Sequence, residues 1–197
     1  MKSAIEKVSS ELGKSYPLII NNKYVETSDK LKSYNPCNKT QVVGVFSKAG
    51  IKEADAAMQN ALQSFESWKF VASEKRAQYV FDVAEIMREK KFELLAWLIH
   101  EVGKSWAEAD GEVAEAIDFC EFYAREMLRL SAPQPLTKLE TEINELSYIP
   151  LGVVVVIPPW NFTLAIMAGM TMAAVVTGNT VLLKPSSDAP TIAYKFM

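Results

Sequence analysis

Histidine and cysteine are almost missing from this chain: one histidine, His100, and two cysteines, Cys37 and Cys120, among 197 residues. The cysteines lie far apart in different kinds of segment, so they form neither a disulfide framework nor a metal-ligand spacing. With one histidine, a Cys/His zinc site is not expected, and no metal is expected at all. Basic runs are also missing, none longer than Lys90-Lys91, and the formal net charge is -3. Nothing there points to nucleic acid or an anionic membrane as partner. The most apolar stretch, Leu151 to Val176, is broken by Pro158-Pro159-Trp160-Asn161. Neither half reaches the ~18 apolar residues of a membrane-spanning helix. The opening residues carry Glu6 and Glu11 and lack the apolar centre of a signal peptide, so an amphipathic helix is expected. A reducing, cytoplasmic setting fits the cysteine usage. No internal repeat is visible, and no G-x-G-x-x-G occurs, so an ordinary dinucleotide-binding turn is not indicated.

What is present is organised by hydrophobic period. Leu18-Ile19-Ile20, Asn21-Asn22 and Lys23-Tyr24-Val25 read as a hairpin, because asparagine tolerates the positive φ of a tight turn. Gln41 to Ser47 is a third short strand. Lys52 to Trp68 is helical, and Glu74 to Val102 keeps a 3.6-residue period with Lys91 as the one misfit. Gly103 ends that helix as a left-handed cap, and Ser105-x-x-Glu108 has capping-box spacing. The next helix would bury Trp106, Ala109, Val113, Ala116, Cys120, Ala124 and Met127. Pro133 and Pro135 then make a connector. Glu140 to Ile149 is strand-like but polar, either an exposed edge or a strand paired outside the main core.

After Pro150 the character changes. Gly152 to Ile157 is nearly pure Val and Ile, the pattern of a parallel strand buried on both faces. Thr163 to Val176 is an apolar helix closed by Gly178-Asn179, and Thr180 to Leu183 is a second buried strand. The unit is β-α-β, with a right-handed crossover expected. Ser186 to Asp188 before Pro190 reads as the cap and first turn of another helix. Two parallel strands cannot cover themselves, so an α/β fold with an incomplete parallel sheet, part of something larger, is expected.

In open α/β sheets ligands bind beyond the carboxyl ends of the strands. One such end is Ile157-Pro158-Pro159-Trp160-Asn161-Phe162. There Asn161 either caps the following helix or donates its amide to an oxyanion. The other is Leu183-Lys184-Pro185-Ser186-Ser187, where Lys184 either reaches a ribose or phosphate or is a solvated loop residue. Glu108, Glu112 and Glu115 share one helix face, with a solvated acidic face as the default explanation. His100 is expected to pack or cap.

I-P-P-W-N-F, an apolar helix ending G-N-T, then V-L-L-K-P-S resembles the aldehyde dehydrogenase superfamily, as does Glu101-Val102-Gly103-Lys104. The resemblance runs from about Tyr16 onward. Within the superfamily, Y-P-L-I-I-N-N, S-Y-N-P and A-E-A-I-D-F-C-E-F-Y-A-R are most similar to the 1-pyrroline-5-carboxylate dehydrogenase branch. That branch oxidises glutamate γ-semialdehyde to glutamate in proline and arginine breakdown.

The resemblance implies a chain holding the start of a Rossmann-like NAD(P)-binding domain. Residues 1–130 would be its helical and small-strand part, 131–149 a connector with an oligomerisation-type strand, and 150–197 the first βαβ of its sheet. It also implies a cysteine nucleophile and a glutamate base, neither of which this sequence contains in the family's motifs, so the 197 residues alone should be inactive. The exposed edges of the parallel sheet should leave them poorly folded. By the same resemblance Asn161 helps hold the substrate oxyanion. Ile157, Pro158, Pro159 and Trp160 line the cofactor cleft, Lys184 binds the adenine ribose, and Ser186 and Ser187 sit beside it. Phe162 forms substrate-pocket wall, with Glu115 near the reaction centre. The implied cofactor is NAD, with NADP accepted, and the implied partners are an aldehyde and further copies of the full-length chain. A non-catalytic oligomerisation or binding fragment, and a relative with another aldehyde substrate, stand as alternatives.

Overall fold

Short strands frame the amino-terminal half. In the computed structural model, which describes residues 1–197, helix α1 (Lys2–Ser9) packs against the helical layer. Strand β1 (Lys14–Tyr16) then pairs in parallel with β5 (Asn38–Ser47), and β4 (Lys30–Asn35) pairs antiparallel with β5. β4 carries Lys30, Lys32, Ser33 and Asn35 among its six residues, too little apolar signal for a hydrophobic period to predict it. Strands β2 (Leu18–Ile20) and β3 (Lys23–Val25) form the expected hairpin, with Asn21 and Asn22 at φ 52° and 55°.

Helix α2 (Ile51–Trp68) starts where the Glu53 carboxylate accepts from the Gly50 N–H at 2.9 Å. The single helix expected from Glu74 to Val102 is two: α3 (Ser73–Glu89) and α4 (Lys91–Val102). The break falls beside the misfit Lys91, whose ammonium stays out to pair with Asp110. Leaving the helix at Lys90 lets each half turn its own apolar face inward. Gly103 is left-handed at φ 69°, and Ser105 and Glu108 form the capping box of α5 (Trp106–Ser131). Of the expected α5 stripe, Trp106 is the exception, half exposed in the first turn. The rest joins one core with residues of α3, α4 and the following helix. Cys120 lies in that core, and burial pushes its thiol up to about 11.

Residues 140–149 form no strand; Leu139 and Glu142 share one isolated bridge, and the stretch is exposed. Its apolar side chains, with Ile143 95% and Ile149 77% exposed, meet no core among these residues.

β6 (Val153–Val156) and β7 (Thr180–Leu183) pair in parallel in register, joined by α6 (Ala165–Val176). Neither strand is buried on both faces: Val155 is 49% exposed and β7 is half-buried throughout. The physical reason is that two strands offer helices α2 and α6 only a narrow sheet to cover. Gly169 allows α6 to approach α5 closely, since a Cβ there would stand 3.1 Å from the Phe119 ring. No helix is long and apolar enough to cross a membrane.

The carboxyl end of α6 is closed by side chains from a distance. Buried Arg76 donates from Nε to the Val176 carbonyl at 2.8 Å, and Trp68 Nε1 donates to Val175 at 3.2 Å. Asn179 Oδ1 accepts from Leu151 and Gly152 at 2.7 and 2.9 Å, which ties the end of α6 to the start of β6.

Candidate active site

The site begins with two strand ends lying side by side. The ladder register pairs Val156 with Leu183, and the Lys184 N–H donates to the Val156 carbonyl at 2.9 Å. Ile157 to Phe162 and Lys184 to Ser187 therefore leave the sheet at one edge, in neighbouring loops. Prolines at 158 and 159 remove two N–H donors and fix φ, so the first loop leaves as a stiff bend. Pro158 turns inward and is buried, while Ile157 and Trp160 are 61% and 54% exposed. Trp160 and Ser187 line one cleft of about 460 Å³ together with Ser33, Glu101, Val102 and Asp188. Lys184 is exposed and Ser186 half-buried, its hydroxyl accepting from the Asp188 N–H at 3.3 Å.

Asn161 does not cap α6. The N-cap position is Leu164, three residues later, and it has no side-chain cap. Residues 161–164 form a turn before the helix, which moves Asn161 out of capping reach and leaves it exposed. Nor does Ser186 cap α7 (Pro190–Phe196): Ala189 is at its N-cap, with Pro190 at N1 as expected.

The donors that both helices leave bare are taken by two glutamates. Glu112 Oε1 accepts from the Leu164 N–H at 2.7 Å and more weakly from Ala165 at 3.4 Å. Its other oxygen pairs with the Lys104 ammonium, which also stands 4.3 Å over the Phe162 ring. Glu101 accepts from the Thr191 and Ile192 N–H groups, each at 2.7 Å, and from the Ser33 hydroxyl at 2.8 Å. Burial pushes the Glu101 carboxyl above its ordinary range, and these donors oppose the rise. Each glutamate is 2% exposed, so Glu112 is not part of a solvated acidic face. Glu108 and Glu115 are exposed, and the Ser105 hydroxyl and N–H hold the Glu108 carboxyl below its usual range. The sequence does carry a signal for the buried pair. Glu101 continues the Leu94, Leu98 spacing, and Glu112 falls between Ala109, Val113 and Ala116 on the apolar stripe.

His100 joins α4 to α1 through Ser9 (Oγ to Nε2, 3.2 Å), and burial lowers its pKa, a packing role. A separate hollow of about 300 Å³ lies between the β2–β3 hairpin and α2, lined by Lys52, Glu53 and Asn60, away from both strand ends.

This pair of strand-end loops sits inside a family match that runs from residue 24 to residue 197, to the aldehyde dehydrogenase family. The chain belongs to that family. It is 53% identical over 194 residues to a 1-pyrroline-5-carboxylate dehydrogenase of Geobacillus thermodenitrificans, covering 98% of this chain and 38% of that one. It is 50% identical over 196 residues to the enzyme of the same name from Bacillus pumilus, again 38% of the relative's length. The chain thus spans under two-fifths of these curated relatives. Among solved structures, a Thermus 1-pyrroline-5-carboxylate dehydrogenase with bound NAD superposes with a TM-score of 0.95 at 44% identity, covering 99% of this chain and 38% of that one. Proline utilization A from Bdellovibrio bacteriovorus gives a TM-score of 0.97 at 41% identity, covering 99% and 20%.

Proposed function

We propose that these residues form the amino-terminal part of an NAD-dependent enzyme that oxidises L-glutamate γ-semialdehyde, the open form of 1-pyrroline-5-carboxylate, to glutamate. The observation that carries the reading is the juxtaposition of Ile157–Phe162 and Lys184–Ser187 at adjacent parallel strand ends, where α/β sheets hold nucleotides. The groups there suit NAD: an exposed ammonium at Lys184 and hydroxyls at Ser186 and Ser187 for ribose oxygens, with exposed Ile157, Pro159 and Trp160 as an apolar wall and Pro158 buried behind them. When bound, the nicotinamide accepts the hydride that the aldehyde carbon loses.

Asn161 stands on the rigid Pro158-Pro159 base with its amide uncommitted to the helix, so it can donate to an oxygen gaining negative charge. Phe162, held under the Lys104 ammonium, gives a flat wall for the substrate chain, and exposed Glu115 on α5 is assigned a place near the reaction centre. Neither Cys120, buried with a raised pKa, nor Cys37, on the β4–β5 turn, is the thiol of this reaction. We assign residues 1–130 and 150–197 to one NAD-binding domain, with 131–149 as a connector. Its exposed Ile143 and Ile149 suit contact with a second copy in a homo-oligomer. Two unpaired cysteines suit a cytoplasmic enzyme.

The test is NADH formation by the complete enzyme with L-1-pyrroline-5-carboxylate against a panel of aliphatic aldehydes. A kcat/KM for the semialdehyde at least tenfold above every other aldehyde is expected. Preference for another aldehyde would reassign the substrate, and no NADH from any of them would sink the reading.

A further inference from the structure

Helices α6 and α7 begin a few residues after the two strand-end loops, and neither brings its own cap. Leu164 and Ala189 have no side-chain acceptor, yet the first turn of any helix leaves N–H groups that need one. Both sets are satisfied by carboxylates from one corner of the molecule, the end of α4 and the start of α5. Glu112 receives Leu164 and Ala165; Glu101 receives Thr191 and Ile192. The corner between them is stiff. Gly103 makes a left-handed turn, and the Ser105–Glu108 capping box starts α5 at once.

Burying two carboxylates costs more than exposing them, unless a local donor set repays it. A helix needing only a cap could take a serine or asparagine at no such cost. A carboxylate reaching over from another element does something a local cap cannot: it fixes where the first turn sits relative to the rest of the fold. Leu164 is three residues from Asn161, and Thr191 is four from Ser187, so each anchor is about one turn of chain from a proposed site residue. Lys104 extends the first anchor, since its ammonium pairs with Glu112 and covers Phe162.

We propose that Glu112 and Glu101 are positioning residues for separate halves of the site. Glu112 sets the Asn161–Phe162 loop, where the aldehyde reacts, and Glu101 sets the Lys184–Ser187 loop, where the cofactor ribose binds. This rests on the functional reading above, but the anchoring itself can be tested without it.

The experiment compares Glu112→Ala, Glu112→Gln, Glu101→Ala and Glu101→Gln in the complete enzyme. Amide hydrogen exchange over residues 162–169 and 189–196 is followed without ligands, together with NAD affinity by fluorescence titration and steady-state kinetics. Each alanine variant should speed exchange at least tenfold in its own segment and leave the other within twofold. Glu112→Ala should lower kcat at least tenfold with NAD affinity within threefold. Glu101→Ala should weaken NAD at least tenfold, with kcat at saturating NAD within threefold. Glu112→Gln keeps the one oxygen that Leu164 and Ala165 share and should recover most of its loss. Glu101→Gln keeps only one of the two oxygens that meet Thr191 and Ile192 and should recover part of its loss. Both carry the test if the alanine variants do not fold. Equal losses from both positions, or unchanged exchange in both segments, would overturn the proposal. A wild-type enzyme that oxidises no semialdehyde would overturn the functional reading instead, while the exchange data still decide the anchoring.

Discussion

At the scale of single residues, two positions carry the proposed chemistry of the site. Asn161 was open to two interpretations in the sequence, and the four-residue turn before α6 removes one of them. Asn161→Ala in the complete enzyme is therefore expected to lower kcat by ~10²–10³, the usual cost of one oxyanion donor. Its thermal midpoint should stay at the wild-type value, because no helix loses its cap. A kcat within threefold of wild type would exclude the oxyanion role. Ser187 lies in the cleft with Trp160 and has no charge to repel the 2′-phosphate of NADP. Specificity is a difference of affinities, so a missing repulsive element weakens discrimination. The enzyme should prefer NAD and use NADP measurably. Ser187→Glu should raise the NAD/NADP ratio of kcat/KM about tenfold, or ~1.4 kcal/mol. An unchanged ratio would place Ser187 away from the 2′ position; the neighbouring Asp188 lines the same cleft and would then be the carboxylate to vary.

At the scale of elements, the helices depend on how they begin and end. Gly103 closes α4 at φ 69°, and a Cβ there would stand 2.9 Å from Pro36 Cγ. Gly103→Ala should cost about 1 kcal/mol or more, from left-handed strain and that close contact. A melting midpoint equal to wild type would contradict it. Between α3 and α5, Arg88 bridges Glu85 and Glu121, and Arg125 adds a second partner to Glu121. The hydrogen bond from Arg88 holds the Glu121 carboxyl below its ordinary value. A carboxyl lowered on folding contributes stability above its unfolded pKa and loses it as pH falls through the folded one. Glu121→Gln should therefore lower the midpoint slightly at neutral pH, by well under ~1 kcal/mol for a solvent-facing pair. The difference from wild type should vanish as pH falls through the lowered Glu121 carboxyl's range. A difference that persists in acid would show that packing, not charge, is at work. The division of α3 from α4 could be seen in the sequence only as the misfit of Lys91. Period analysis sums over a window and reads through a one-residue break.

At the scale of the whole molecule, the parallel pair β6–β7 has no further strand on either side within these residues, and Val155 stands half exposed. Open edges recruit other strands. The polypeptide of residues 1–197, expressed alone, should self-associate and should oxidise no aldehyde with NAD, since Cys120 is buried with its thiol raised to about 11 and the exposed Cys37 is not the thiol of the proposed reaction. A monomeric, active preparation would refute both halves. The sequence by itself determined the elements whose causes are local. These are the Asn21-Asn22 turn, the Gly103 cap, the Ser105 capping box, and the β-α-β unit with its two strand-end loops. Each rests on neighbouring residues or on one hydrophobic period, which a linear reading contains. Glu101 and Glu112 fall on apolar stripes, but only the tertiary structure decided which groups the buried polar side chains meet. Glu112 meets Leu164 across 52 positions, Glu101 meets Thr191 across 90, and Arg76 meets Val176 across 100. A buried charge is tolerated only where bare helix-end donors or acceptors arrive to meet it. Their arrival is set by how α4, α5 and α6 pack, not by any pattern in the residues that flank the charge.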